Sequence, residues 1–482
     1  MAQKSLKINA LYSVIKVFLS LVFPLITFPY ASRILLPEGI GKVNFANSVC
    51  TYFIMLASLG IGMYASREAA KIRDDKKALT KLFKEIITIN IVCCIVAYIL
   101  FFTALFCIPK LSNYRNLLLI CSVKILFALM GIEWIYLANE EFKFITIRTA
   151  ILQLISLLYL FTFVKTEDDI IHYAIFGIFT STGSNFLNFF FVGKYLDFSY
   201  KPKLEYKKHI KGSIIFFGMT VVTSIYTMLD TSMLGFLSND TQVGYYTAST
   251  KLSHMVLNML TAITTVLLPR LTNYAQNGDY DKFEVLVKKS ANILLLLSIP
   301  MTMGLIILSK PLIILLSGEQ YIPAIPSMKL LSPILIIISF GSLIGSQLLP
   351  AINKEKISFY SYTAGAITNV IFNSIFIPKF GALGAAIGTI SAETVVTSTQ
   401  AIYARRYIFS KDFFLNLIQV LFASFAMVYF ILFLQNKTSF SVIIEIFISF
   451  FSGIIIYSTC LLLMRNKTFI FYLKKILKME KN

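Results

Sequence analysis

Residues 85–107 read EIITINIVCCIVAYILFFTALFC, and after Glu85 no charged side chain interrupts the run until Lys110. At 1.5 Å rise per residue, about twenty such residues in a helix span roughly 30 Å, the hydrocarbon thickness of a bilayer. This stretch therefore reads as a membrane-spanning helix. Working outward from it, the same pattern of an apolar run followed by a short polar break recurs. Further runs lie near 8–30, 43–64, 116–137, 146–164, 171–192, 211–232, 243–268, 289–309, 327–349, 357–377, 382–403, 413–435 and 441–463. The expected fold is an all-α polytopic membrane protein with about fourteen transmembrane helices. Composition agrees: 57% of residues are hydrophobic, 14% are charged, and the mean hydropathy is +0.75. No gap between runs is long enough to build a separate aqueous domain.

The formal net charge of +20 raises the question of nucleic-acid binding. Its distribution answers it. Basic residues concentrate in alternate loops, with Arg67, Lys71, Arg73, Lys76, Lys77, Lys81 and Lys84 in one and Lys194, Lys201, Lys203, Lys207, Lys208 and Lys211 in another. About 32 Lys/Arg fall on one side, about 8 on the other and about 4 within spans, which is the positive-inside asymmetry. The charge sets topology, with both termini in the cytoplasm, and no nucleic-acid partner is expected. Lys4 and Lys7 before the first run resemble a signal n-region, but no small-residue cleavage site follows, so the run remains as the first helix. The six cysteines form no Cys-x-x-Cys pair and the three histidines have no ligand spacing, so no metal or cofactor is expected.

Two stretches suggest an internal repeat: Ile34 to Ala46, and Met233-Leu234-Gly235 followed by Val243 to Ala248. Each sets a glycine just before an aromatic and a small residue at a helix start. The expected organisation is two pseudo-symmetric six-helix bundles, 1–192 and 211–403, joined by a basic linker at 193–210, with two additional helices and a basic cytoplasmic tail in 404–482. The cluster Gly381 to Gly388 reads as close helix packing rather than a phosphate cradle, since neither a preceding strand nor a following Lys-Ser/Thr is present.

A charge at the centre of a spanning helix costs roughly 2.5–3.5 kcal/mol on insertion scales, so the rare intramembrane charges point to function. The cations are Lys16, Lys124, Lys251 and, nearer an edge, Lys329; the acids are Glu133, Asp230, Glu393 and Glu445. Lys16 and Lys251 occupy corresponding regions of the two expected halves. With His254 one turn beyond Lys251, they suit a cationic site for a diphosphate or an acidic sugar. The alternative is that each lysine snorkels or pairs with a carboxylate. Asp230 and Glu393 suit a coupling cation or proton, or else a structural ion pair at a gate.

These features resemble the Wzx-type polysaccharide flippases of the multidrug/oligosaccharidyl-lipid/polysaccharide exporter superfamily. The resemblance rests on Ser32 to Ser48, Leu59-Gly60-Ile61-Gly62, Ser66-Arg67-Glu68, Glu133-Trp134 with Asn139 to Phe142, Asp230 with Leu234-Gly235 and Val243-Gly244-Tyr245-Tyr246, and the Gly381 to Gly388 run leading to Glu393. It implies a two-bundle fold, alternating access, and a bacterial cytoplasmic-membrane flippase rather than an enzyme. The implied cargo is an undecaprenyl-diphosphate-linked oligosaccharide, moved to the outer leaflet for surface polysaccharide biosynthesis such as that of O-antigen. Membrane lipids, a polysaccharide polymerase and chain-length proteins are the implied partners. By the same resemblance Lys16 and Lys251, with Arg67 and Arg148 at the cytoplasmic rim, would hold the diphosphate. At the family's expected Leu-Gly-Pro turn this chain carries Leu35-Leu36-Pro37. The rival readings are a cation- or proton-coupled multidrug exporter of the same fold and a membrane-embedded polymerase or ligase. For the latter, Glu167-Asp168-Asp169 is the one acidic outer segment.

Overall fold

The computed structural model describes residues 6–265, 267–437 and 441–476; Lys4 and the end of the basic tail, 477–482, lie outside the described residues. All regular structure among the described residues is helical. The chain divides into two compact units, Met1–Gly244 and Tyr245–Asn482.

The first unit opens with α1 (Leu6–Ser58), which breaks at one residue, Leu36 (φ 57°, ψ 175°). The two apolar runs expected at 8–30 and 43–64 are thus joined by a one-residue turn rather than a loop. Leu59 and Gly60, both at positive φ, turn the chain into α2 (Ile61–Lys71). The next helix, α3 (Lys76–Cys107), is N-capped by Asp75, whose Oδ1 accepts from the amides of Lys77 (2.9 Å) and Ala78 (3.0 Å). There follow α4 (Pro109–Ser112), α5 (Arg115–Leu129), α6 (Glu133–Ala138), α7 (Phe142–Phe163), α8 (Ile170–Ser181), α9 (Gly183–Phe191) and α10 (Lys207–Leu237). Helix α1 packs against α3, α5, α7, α8 and α10.

The stretches 34–46 and 233–244 meet within this unit. A Cβ on Gly41 would lie 1.7 Å from the Asp240 carbonyl oxygen, one on Gly244 2.0 Å from that of Pro37, and one on Gly235 1.9 Å from the Phe45 ring. At Gly41 and Gly244 backbone touches backbone, which only glycine permits, and at Gly235 an aromatic ring fills the place of a side chain.

The second unit takes up the rest of α11 (Asp240–Thr265) and continues with α12 (Leu268–Gln276), α13 (Tyr280–Ile307), α14 (Ser309–Ser317), α15 (Ile325–Leu331) and α16 (Ile334–Gly341). A π-helical turn at Ser342–Leu348 leads to α17 (Leu349–Ala351), α18 (Glu355–Phe380), α19 (Ala382–Ile408), α20 (Lys411–Lys437), α21 (Val442–Leu463) and α22 (Lys467–Ile476). The run expected at 327–349 is therefore a broken helix. The Gly381–Gly388 run lets α19 press on α18: a Cβ on Gly384 would lie 2.3 Å from the Phe376 carbonyl oxygen and one on Gly388 2.0 Å from Asn373 Oδ1.

Nine helical stretches among the described residues are long and apolar enough to cross a membrane, or ten if α8 and α9, bent by 42°, form one span. Their exposed faces carry rows of Ile, Leu and Phe, such as Val92, Ile95, Ile99 and Phe106 on α3. A surface of that kind is stable only against lipid tails. The protein is a multi-pass membrane protein.

Candidate functional site

The run at 116–137 reads as one span, but the chain leaves helical geometry at Met130-Gly131-Ile132, between α5 and α6. The amides of Met130 and Gly131 close tight turns onto the carbonyls of Phe127 (3.2 Å) and Ala128 (3.0 Å). Glu133 then opens α6. Its Oε1 accepts from Lys16 Nζ of α1 (2.9 Å) and its Oε2 from Arg148 Nη2 of α7 (2.6 Å). The two cations approach the carboxylate from different helices. Thr146 Oγ1, donating to the Tyr12 carbonyl (3.0 Å), fastens α7 to α1 beside them.

The pair of contacts is unequal. Lys16 keeps 40% of its side chain exposed, whereas Arg148 keeps 2%. Arg148 Nε and Nη1 are buried and, among the described residues, have no hydrogen-bond partner. A guanidinium has five donors in a planar fork, and leaving several of them unmade in a buried setting is costly. Glu133 also lines a cleft of about 550 Å³ with Gly62, Met63, Ser66, Arg67 and Trp134. Arg67 lies over the Phe216 ring (5.2 Å) and contacts Glu68 (3.1 Å). Lys16 and Arg148 thus share one carboxylate, Glu133, while Arg67, paired with Glu68, lines the same cleft as Glu133. Three cations against two carboxylates, with the planar donor fork of Arg148 among them, suit a phosphate or carboxylate anion.

The other anticipated residues lie elsewhere. Lys124, buried on α5, donates to Asn47 Oδ1 (2.7 Å) and does not join the Glu133 cluster. Asp230 is buried on α10, where Ser232 Oγ sits 3.0 Å from both Tyr52 OH and Ser48 Oγ. In the second unit, Lys251 is half-buried and His254 exposed on α11, and Glu393 is buried on α19. Asp169 closes its own loop: Oδ2 accepts from the amides of Lys165 (2.9 Å) and Thr166 (2.8 Å), which hold its carboxyl below the usual aspartate range. What sequence reasoning missed is Glu133 as the hub. The signal was Glu133 itself, an acid within an apolar run, whose partners Lys16 and Arg148 lie on other helices.

A family described as "Polysaccharide biosynthesis protein" matches residues 6–275, and the MatE family matches 216–375. The "Putative O-antigen transporter" of Escherichia coli (strain K12) is 24% identical over 83% of this chain and 97% of its own length. The capsular polysaccharide biosynthesis protein CapF of Staphylococcus aureus is 24% identical over 77% of this chain and 92% of its own. Among solved structures, the lipid II flippase MurJ in an inward closed conformation superposes with a TM-score of 0.78 at 18% identity, covering 95% of this chain and 99% of that one. An inward-facing multidrug resistance MATE family transporter of the MOP superfamily superposes with a TM-score of 0.63 at 14% identity over 84% and 95%. The fold is shared with both, and the family match spans more than half of the sequence: the chain belongs to the polysaccharide biosynthesis protein family, with a MATE- and MurJ-like fold.

Proposed function

We propose that this membrane transporter flips an undecaprenyl-diphosphate-linked oligosaccharide from the cytoplasmic to the outer leaflet by alternating access, delivering it to a polysaccharide polymerase and chain-length proteins. The observation that carries this reading is Arg148, buried with two unmet donors against Glu133, which Lys16 also contacts and which lines a cleft together with Arg67. A diphosphate head enters hydrocarbon only where the protein supplies countercharge. It would compete with Glu133 for both cations, so binding releases the carboxylate and satisfies the guanidinium fork. Lys124, Lys251 and His254 are proposed as further cationic contacts along the route, and Asp230 and Glu393 as gating or ion-coupling carboxylates.

Fourteen spans fit this reading: the Leu36 break makes α1 two spans, the bent pair α8–α9 counts as one, and α10, α18 and α19 have 31, 26 and 27 residues. We take 1–192 and 211–403 as two six-helix bundles joined by 193–210, with 404–482 appended and both termini cytoplasmic. In a deletion strain, the wild-type gene should restore surface polysaccharide. Arg148→Ala and Lys16→Ala should leave lipid-linked oligosaccharide on the cytoplasmic leaflet, with export lowered at least tenfold by loss of a charge-assisted pair of about 1.5–3 kcal/mol. Undiminished export by Lys16→Ala, Arg148→Ala and Lys251→Ala together would sink the cationic mechanism. The likeness to MATE transporters and the match over 216–375 favour a second reading, a cation- or proton-coupled multidrug exporter. Uptake of a cationic dye by proteoliposomes under an ion gradient would decide for it.

A further inference from the structure

At one end of the second unit, where α21 stops at Leu463, the chain turns through Met464, Arg465 and Asn466 into the short helix α22. Arg465 makes the turn in the left-handed region (φ 50°). Three asparagines and a glutamine fix the turn to its neighbours. Asn466 Nδ2 donates to Asn416 Oδ1 (2.8 Å) and to Gln419 Oε1 (2.7 Å), Asn416 Nδ2 donates to Asn292 Oδ1 (2.8 Å), and Gln419 Nε2 donates to the Met464 carbonyl (3.0 Å). Asn466 Oδ1 accepts from the Phe469 amide (2.8 Å), which caps α22. Asn466 and Asn416 are 1% and 4% exposed. A buried network with its members bonded to one another holds one shape.

Over this network lies a cavity of about 500 Å³ whose wall carries Lys289, Arg465 and Lys467 against one carboxylate, Asp412. Lys467 contacts Asp412 (3.3 Å), but among the described residues neither Lys289 nor Arg465 makes an ion pair. Lys289 lies over the Phe471 ring (5.4 Å). One side of the wall is apolar, with Leu415, Met464 and Phe471: Leu415 and Phe471 are 50% and 40% exposed, and Leu415 continues into the exposed row Phe414, Ile418 and Phe422 of α20. Two uncompensated cations above a rigid polar floor call for an anion. The apolar side, continuous with a lipid-facing helix, calls for a ligand with a tail. A soluble anion has no use for that wall, and a neutral lipid has none for the cations.

We propose that this cavity holds the headgroup of an anionic glycerophospholipid, its phosphate against Lys289 and Arg465 and its acyl chains along α20. The site lies wholly in the second unit and shares no residue with the Glu133 cluster. A resident lipid there would tie α22 to the ends of α13, α20 and α21.

Native mass spectrometry of the full chain in detergent micelles, titrated with phosphatidylglycerol or phosphatidylcholine, tests the proposal. Wild type should retain phosphatidylglycerol in preference to phosphatidylcholine. The double variant Lys289→Gln/Arg465→Asn should lose one phosphatidylglycerol, with affinity lowered roughly tenfold or more. Asparagine tolerates the left-handed backbone, so the turn survives the substitution. Lys437→Gln, a cation at the other end of α20, should leave binding unchanged, and circular dichroism should give equal helicity for all three proteins. A double variant that keeps phosphatidylglycerol as wild type does, or a wild type that binds millimolar inorganic phosphate there but no phosphatidylglycerol, overturns the proposal.

Discussion

Glu133 is shared by two cations whose surroundings differ, so its removal should act mainly through Arg148. With the carboxylate gone, Lys16 reaches water, whereas Arg148, at 2% exposure, keeps its charge in a buried place. Breaking a buried pair from one side typically costs about 3–5 kcal/mol, while exchanging both partners for apolar residues is often close to neutral. We expect Glu133→Gln to lower thermal stability in detergent strongly and Glu133→Leu/Arg148→Met to recover most of it while remaining unable to export. Recovery of export by the double variant would separate Arg148 from the substrate. Of this cluster, Lys16 and Glu133 stand out as charges within apolar runs, and Arg67 and Arg148 follow from the family resemblance. That Glu133 joins Lys16 to Arg148 is not legible, because the Lys16–Glu133 contact closes over 117 residues of sequence and nothing local records it. The same holds for Lys124, whose charge stands out in its run while its partner Asn47 does not.

At the scale of the helix, the apolar runs gave the spans because lipid demands unbroken hydrophobic length, whereas their joints obey steric rules that composition does not display. Leu36 is the clearest case. The expected glycine is absent, yet the backbone adopts φ 57°, a region costing a non-glycine residue about 1–3 kcal/mol. Leu36→Gly should therefore match or exceed wild-type melting temperature, and Leu36→Val, β-branched, should fall below it. A lower melting temperature for the glycine variant than for the valine variant would show that side-chain packing, not backbone strain, governs the turn. Gly41 and Gly244 behave oppositely, since no side chain fits where backbones meet. Gly244→Ala should destabilise by about 3 kcal/mol or more, the upper part of the range for overpacking, because the obstacle is the Pro37 carbonyl rather than a movable side chain. The control is Gly304→Ala on α13, which has nothing within 4 Å and should be neutral or slightly stabilising. The broken helices at 325–351 went unread for a similar reason: a π-helical turn keeps an apolar run intact while shifting its register.

For the molecule as a whole, charge and contact speak about different things. The basic stretch 193–210 stands out in composition, whereas contacts divide the chain at Gly244 and Tyr245, inside α11, where no compositional change marks a boundary. Positive charge reports which loops stay in the cytoplasm, and packing reports which helices form one compact unit. Sidedness can be tested through α3, which opens in the basic loop at Lys76 and ends at Cys107. Cys107 is the one exposed cysteine among the described residues; Cys50, Cys94 and Cys121 are buried, and Cys93 and Cys460 half-buried. In right-side-out vesicles a membrane-impermeant maleimide should label Cys107, and Cys107→Ser should abolish that labelling. A cysteine placed by Lys76→Cys in the Cys107→Ser background should resist the reagent until detergent or inversion opens the inner face. Labelling of the position-76 thiol in sealed right-side-out vesicles would invert the topology. It would also place Arg67 and the Glu133 cleft at the outer surface, where a lipid-linked substrate made in the cytoplasm could not meet them first.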